Sequence, residues 1–441
     1  MIDLTSTYLP GILRHKIADI ALSPGHVAPA YHGWSLLNIP GGIQHLLGLP
    51  AGANPPSGLP AMAPEIIPAE VEPAQGVIML VLDGLGLYAF QGCLGQGLGK
   101  IWQDLPGRLF PLTSICPSTT TAALSTLWTG VPTAAHGLAG YELWLAEYGV
   151  VANMVYLSPT TFANDPGGLS RSTFRPETFL SVEALGTRLQ SQDVKVFAFM
   201  HHTLARSGLS AMHLKQAAVI PFSTPSDLAV KLRDLVDAKV RTGEKFYAYI
   251  YWGALDEFGH VYGPSDERIG LEFDAFSRSI GTAVQKIAEQ QRGSIRFIMT
   301  ADHGMVSTPK RAEYDLRTHP DFYKNVYIQP TGESRFLYLH ARPGREQALR
   351  QYFKERWPGD FRLFPSELLV ERGLFGSSPH HPRLLDRLGT WIAIANGPAF
   401  LWWAEKENRL LGRHGGLLPE EMLVPFYLLD LNQVKKGPSG Q

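Results

Sequence analysis

Residues 76–84 read GVIMLVLDG, a continuous apolar run that stops at Asp83-Gly84. A run this short, without polar alternation, suits a strand covered on both faces, as in a parallel sheet lying between helices. The same kind of run recurs at 194–200 (VKVFAFM), 246–252 (FYAYIYW) and 295–301 (IRFIMTA), with a shorter version at 391–395 (WIAIA). Between them lie stretches with apolar residues at helical spacing. Residues 226–240 follow Pro225, residues 266–291 form a long amphipathic pattern, and residues 344–356 stop before Trp357-Pro358. Strands alternating with helices predict an α/β fold with a mostly parallel central sheet and helices on both faces.

Outward from these elements, residues 1–75 are rich in Pro and Gly, with one apolar segment at 34–49. They read as an irregular N-terminal arm packing on the core. Residues 76–441 form the main domain, and the mixed stretch 305–390 is expected to be a small cap inserted over the sheet's edge. The terminal Pro438-Ser439-Gly440-Gln441 reads as a frayed end. With 45% hydrophobic residues in 441, the chain can bury a large core. Its 39 basic and 40 acidic side chains leave a formal charge of −1, which argues against a nucleic-acid polymer or a membrane surface as partner. Only two cysteines are present, Cys93 and Cys116, in no metal-binding spacing, as suits a reducing compartment. The first twenty residues carry no basic-then-apolar leader pattern, and no apolar run approaches the roughly 18–20 residues of a membrane span. A cytoplasmic protein is expected.

The chemistry lies where the strands end. The first run leads into Asp83, FYAYIYWGAL into Asp256 with His260 four residues on, and IRFIMTA into Asp302-His303-Gly304. Ligands of open α/β sheets bind beyond the carboxyl ends of the strands, so three strands deliver a carboxylate to one rim. Alone, each aspartate is a turn former or helix cap. Together they would repel one another without a countercharge, and divalent cations supply one. Mixed Asp/His donors suit zinc or a similar first-row ion. The stretch Pro117-Ser118-Thr119-Thr120-Thr121 precedes the helix formers 122–128, so a threonine cluster stands at a helix N-terminus, where N–H groups and the dipole favour an anion. A further histidine, His414, is followed by Gly415-Gly416.

The order Asp…Thr…Asp-x-x-x-His…Asp-His-Gly…His-Gly-Gly resembles the alkaline phosphatase superfamily, and within it the type I phosphodiesterase/nucleotide pyrophosphatase family. The matching stretches are VLDGLG (81–86), PSTTTAALSTLWTGVPTAAHGLAGY (117–141), LDEFGHVYGP (255–264), TADHGM (300–305) and HGGLLPEEMLVP (414–425). The resemblance implies an alkaline-phosphatase-like three-layer sandwich, with 76–441 as its catalytic domain, hydrolysing small phosphate esters with two divalent metal ions, zinc or alternatively manganese. It implies that Asp83, Asp302, His303 and the nucleophile hold one ion, and Asp256, His260 and His414 the other. Family members place the nucleophilic threonine ten positions before the glycine of a Thr-Gly pair, which selects Thr120 by counting back from Gly130. Where family phosphodiesterases place an Asn three residues after the nucleophile, this chain has Ala123. Losing such an oxyanion donor costs about 3 kcal/mol of transition-state stabilisation.

Two dications against three carboxylates leave a net charge of about +1, which favours a singly charged diester over a doubly charged monoester. A monoesterase would add a third metal or a dedicated arginine, and Arg335 and Arg413 are the available candidates. His136 is expected to position its loop rather than to bind metal. Tyr141 and Trp144 are available to stack on a substrate ring, and Phe375 to pack the cap. Phosphonate hydrolysis or monoester hydrolysis on the same site, and a non-catalytic metal-binding protein retaining the fold, are the alternatives. Sulfatase chemistry is excluded because Cys116-Pro117-Ser118 lacks the C-x-P-x-R signature.

Overall fold

The computed structural model describes residues 1–50, 58–161, 165–290 and 294–434. Gln291 and the 438–441 stretch lie outside the described residues. An eight-stranded sheet forms the centre, in the order Ile2–Asp3, Arg108–Thr113, Leu423–Asp430, Ile295–Thr300, Gly76–Leu82, Phe246–Trp252, Lys195–His201 and Ala218–Phe222. All neighbours run parallel except around Leu423–Asp430, which is antiparallel to both of its partners. The Gly76–Leu82 strand is central and wholly buried, which is why its sequence shows no alternation. Its pairing of Leu82 with Trp252 and Val81 with Thr300 ends three strands at one level.

Alternate residues of these strands serve opposite faces. Tyr247 and Tyr249 meet Trp128 of the helix Thr120–Thr129, with ring centroids 6.2 and 4.9 Å apart. On the other face Trp252 packs on Phe276 of the helix Glu267–Gln290. There too Phe297 stacks flat on Trp102 at 5.4 Å, and the Trp102 indole N–H donates to Ser277 Oγ. Helices thus cover both faces, completing three layers. The helix expected at 226–240 runs Pro225–Thr242, with Thr224 as cap accepting from the Asp227 N–H.

Three expectations change. The N-terminal segment is not irregular: Ile2–Asp3 adds an edge strand beside Arg108–Leu109, and helices Thr5–Arg14 and Ile39–Leu46 follow. A two-residue strand leaves no periodic trace, so only pairing reveals it. The run Trp391–Ala395 is a strand of a different sheet. It lies antiparallel between Phe336–Leu339 and Phe361–Pro365, because an apolar run reports burial on both faces and not the direction of its neighbours. That second sheet has seven strands, and the layer expected from 305–390 alone also takes Glu142–Leu145, Val150–Asn153 and Ser158–Pro159, which follow the Thr120–Thr129 helix. The two parts join where Gly332 pairs with Glu142. Phe336 and Tyr338 face the main core, whereas Leu337 and Leu339 face a smaller one with Leu349, Phe353 and Trp357. Phe375 is fully buried, edge-on to Phe336.

Two buried imidazoles pin the Thr120–Thr129 helix from behind. Ser125 Oγ donates to the Thr121 carbonyl and accepts from His213 Nε2 at 2.8 Å. His136 Nδ1 accepts the Leu138 N–H, so its Nε2–H donates to Thr126 Oγ1 at 3.1 Å. Burial, then neighbouring positive charge, pushes both imidazoles down to about 3.

Two outcomes follow from this packing. Phe297→Ala removes the ring under Trp102 and is expected to cost about 3–5 kcal/mol, read as a lower denaturant midpoint at unchanged slope. The unfolded chain protonates His136 and His213 near pH 6.5, while the folded chain accepts those protons only near 3. Stability therefore falls as pH drops through that window. Thermal melts between pH 7.5 and 4.5 should show the fall, and His213→Asn should flatten it; identical slopes in both proteins would refute the assignment.

Candidate active site

Asp83 and Asp302 each divide their two oxygens between a hydrogen bond and the centre. Asp83, at the end of Gly76–Leu82, accepts the Tyr251 hydroxyl on Oδ2. Asp302 Oδ1 accepts the N–H groups of Gly84 at 3.1 Å and His303 at 2.9 Å. Asp256 stands in the first turn of the helix Ala254–Tyr262, one turn before His260, whose Nε2 lies 3.4 Å from Asp256 Oδ2. The remaining oxygens, Asp83 Oδ1, Asp256 Oδ1 and Asp302 Oδ2, are buried without a hydrogen-bond partner. Burial first, and then the charges of Asp302 and Asp256, raise the Asp83 carboxyl well above the usual carboxylate range.

The three histidines are oriented alike. Nδ1 of His260 lies 2.9 Å from the Gly412 carbonyl, that of His303 3.0 Å from Gly304, and that of His414 3.0 Å from Ser118. A carbonyl only accepts, so each Nδ1 carries the proton and each Nε2 offers its lone pair to the centre. Burial and the flanking His303 and His260 hold His414 well below its ordinary value, neutral as a ligand must be. The antiparallel pair Val306–Ser307 with Gly412–Arg413 delivers His414 to the Asp302-His303 loop, where the His303 and His414 rings stack 3.7 Å apart.

Ligand atoms of Asp83, Asp302 and His303 lie within 4.8 Å of one another, and so do those of Asp256, His303 and His414. Three orphaned carboxylate oxygens facing imidazole lone pairs fit divalent cations, which would satisfy all of them. Thr120 Oγ1 stands 3.1 Å from His303 Nε2 at the first position of its helix, directly after the N-cap position Thr119, whose side chain makes no capping bond. Close approach demands glycine here: a Cβ on Gly304 would sit 2.0 Å from the Glu420 carbonyl, and one on Gly84 2.9 Å from Asp256 Cα.

Arg335 and Arg413 do not reach the rim. Arg335 is fully buried against Glu421, and Arg413 is buried over the Phe400 ring, donating to Thr308 and to the Leu410 carbonyl. Ala123 is fully buried in the core, its N–H bonded to the Thr119 carbonyl. His136 is taken up by hydrogen bonds to Thr126 of the helix and to the Leu138 N–H, and Tyr141 and Trp144 are half-buried beside and in the Glu142–Leu145 strand. Two neighbours had no signature in the sequence. Tyr251 is the last inward residue of its strand, and Glu333 is buried with its Oε1 accepting the Tyr141 N–H. Burial pushes the Glu333 carboxyl up to about 8. A cavity of about 490 Å³ opens beside the rim, lined by Gly84, Leu255, Gly259, Met305 and Leu418, with Glu420 as its one charged side chain among the described residues.

The fold recurs among solved structures. Murine ectonucleotide pyrophosphatase/phosphodiesterase 5, an inactive form in complex with AMP, is similar with a TM-score of 0.59 and 16% identity, over 80% of this chain and 87% of that one. The human protein of the same name gives 0.57 and 15%, over 80% and 87%. Phosphonoacetate hydrolase from Sinorhizobium meliloti, in complex with phosphonoformate, gives 0.54 and 18%, over 80% and 89%. A search of curated protein sequences finds no match. The sequence profile of one family matches residues 77–357, a stretch that holds Asp83, Thr120, Asp256, His260, Asp302 and His303 and stops short of His414. That is more than half of the chain, which thus belongs to the type I phosphodiesterase / nucleotide pyrophosphatase family.

Proposed function

We propose that the chain is a two-metal phosphodiesterase with Thr120 as its nucleophile. One observation carries the reading: Thr120 Oγ1 stands at a helix N-terminus, 3.1 Å from His303 Nε2, beside three buried carboxylate oxygens without partners. Asp83, Asp302, His303 and Thr120 would hold one ion, and Asp256, His260 and His414 the other. The donor set suits zinc, with manganese the alternative. When bound, such ions lower the pKa of a hydroxyl or water and take up charge on a leaving oxygen.

The chain's own groups do the rest. The helix holds the Thr120 oxygen in place, and the N–H groups of Thr120, Thr121 and Ala122 precede the first helical bond, from the Ala123 N–H to Thr119. They are the donors for the non-bridging phosphoryl oxygens in place of an Asn at position 123. Thr120 Oγ1 bonds to phosphorus as the ester P–O bond on the opposite side breaks, and the alcohol leaves. Water then cleaves the phosphothreonine, releasing the monoester and restoring the hydroxyl.

Charge sets the preference. Two dications and three aspartates leave about +1, and the Arg335 and Arg413 guanidiniums are hydrogen-bonded to Glu421 and to Thr308 instead of to a group at the rim. The cavity beside the centre brings only Glu420, so a polyphosphate tail would meet no cation there. Free, buried Cys93 and Cys116 support a cytoplasmic setting. No helix among the described residues is long and apolar enough to cross a membrane.

Thr120→Ala is expected to keep its bound metal and lose on the order of 10³-fold or more in turnover of bis(p-nitrophenyl) phosphate. Near-normal turnover in that variant would remove Thr120 from its role. Wild-type kcat/KM should favour this diester over p-nitrophenyl phosphate by on the order of tenfold or more. Phosphonoacetate cleavage without diester cleavage would replace the reading by the phosphonate one, and bound metal with no turnover by the non-catalytic one.

A further inference from the structure

Arg335 and Glu421 form an ion pair with no exposed side-chain surface. Arg335 occupies the two-residue turn between the paired Glu333 and Phe336 of the second sheet. Its Nε and one terminal nitrogen grip the two Glu421 oxygens at 2.7 and 3.0 Å, and the other terminal nitrogen donates to the carbonyls of Gly397 and Ala399. The far side of the Glu421 carboxylate accepts the N–H groups of Gly416 at 2.9 Å and Leu418 at 3.2 Å. The Glu421 backbone carbonyl accepts the Gly304 N–H at 2.9 Å.

These contacts reach every part of the site except the Asp256 helix and the Asp83 turn. Gly304 follows His303, and Gly416 ends the His414-Gly415-Gly416 loop. The Gly416 carbonyl in turn accepts Ser118 Oγ at 2.8 Å, and the Ser118 carbonyl accepts the His414 Nδ1–H. Ser118 lies two residues before Thr120. A Cβ on Gly416 would come within 2.6 Å of Glu421 Oε2, so the loop is folded tightly onto that carboxylate.

We propose that Arg335, acting through Glu421, is a positioning residue that sets the spacing between His303, His414 and Thr120. The proposal rests on the reading of those three as ligands and nucleophile. A buried charge pair is retained at a desolvation cost that full hydrogen bonding offsets, and here both partners are bonded on all sides that face the site. The guanidinium's fork geometry matters, because a lysine can carry the charge without gripping both oxygens.

The test uses full-length, metal-supplemented protein and four variants: Arg335→Lys, Arg335→Ala, Glu421→Gln and Gly416→Ala. Gly416→Ala displaces the carboxylate from the opposite side while keeping both charges, so it reports even if loss of a charge prevents folding. Folded Arg335→Lys and Glu421→Gln should lose about 10- to 100-fold in kcat and in affinity for one of the two ions, measured by chelator competition, with KM little changed. Added guanidinium should restore part of the loss in Arg335→Ala and none in Glu421→Gln. Unchanged kcat and metal affinity in folded variants, or a loss confined to KM, would overturn the proposal. A wild-type protein that binds no metal, or a fully active Thr120→Ala control, would instead overturn the underlying reading of the site.

Discussion

Three carboxylates converge where three parallel strands end, and their mutual repulsion is the constraint around which the rest is arranged. Asp83 shows the repulsion directly: burial, and then the charges of Asp302 and Asp256, raise its carboxyl well above the usual carboxylate range. A protein core does not keep such a cluster for stability, since well-packed apolar side chains would serve better. Its neighbours are arranged to aim the charges rather than to cancel them. One oxygen of Asp83 and one of Asp302 are spent on Tyr251 and on backbone N–H groups, and the other of each is left pointing inward.

The histidines obey the same division. Each gives its Nδ1–H to a backbone carbonyl, which fixes the ring and commits Nε2 to the centre. Two of the carbonyls belong to loops that carry other parts of the site: Gly412, which holds His260, precedes His414, and Ser118, which holds His414, precedes Thr120. Moving one loop therefore turns a ring that belongs to another. Behind Thr120, His136 and His213 hold the helix through hydroxyls, and both stay neutral because their pocket refuses the proton.

Much of the central sheet was legible because its strands are buried on both faces and read as unbroken apolar runs. The rim residues were legible for a related reason, since polar residues abruptly end those runs at Asp83 and Asp302. The second sheet was not. Its strands alternate weakly, come from stretches nearly two hundred residues apart, and meet through a single pairing of Gly332 with Glu142. The edge strand Ile2–Asp3 is too short for any period. Tyr251 looked like one more aromatic in FYAYIYW, and only the strand's register turns it towards Asp83. Arg335 and Arg413 looked available because sequence shows charge but not what a guanidinium is buried against.

That withdrawal of arginine from the rim has an electrostatic consequence. A guanidinium pointing at the centre would add a full positive charge in a setting where charges are weakly screened. Buried instead against Glu421, Arg335 has its charge opposed by a carboxylate through two hydrogen bonds, and its remaining field helps hold His414 below its ordinary pKa. Its contribution becomes geometric: Glu421 holds Gly304 and Gly416, and those hold His303 and His414. The same side chain thus bears on the centre through shape rather than through direct contact. The cation is held by its bonds to Glu421, Gly397 and Ala399, where position is what it can supply.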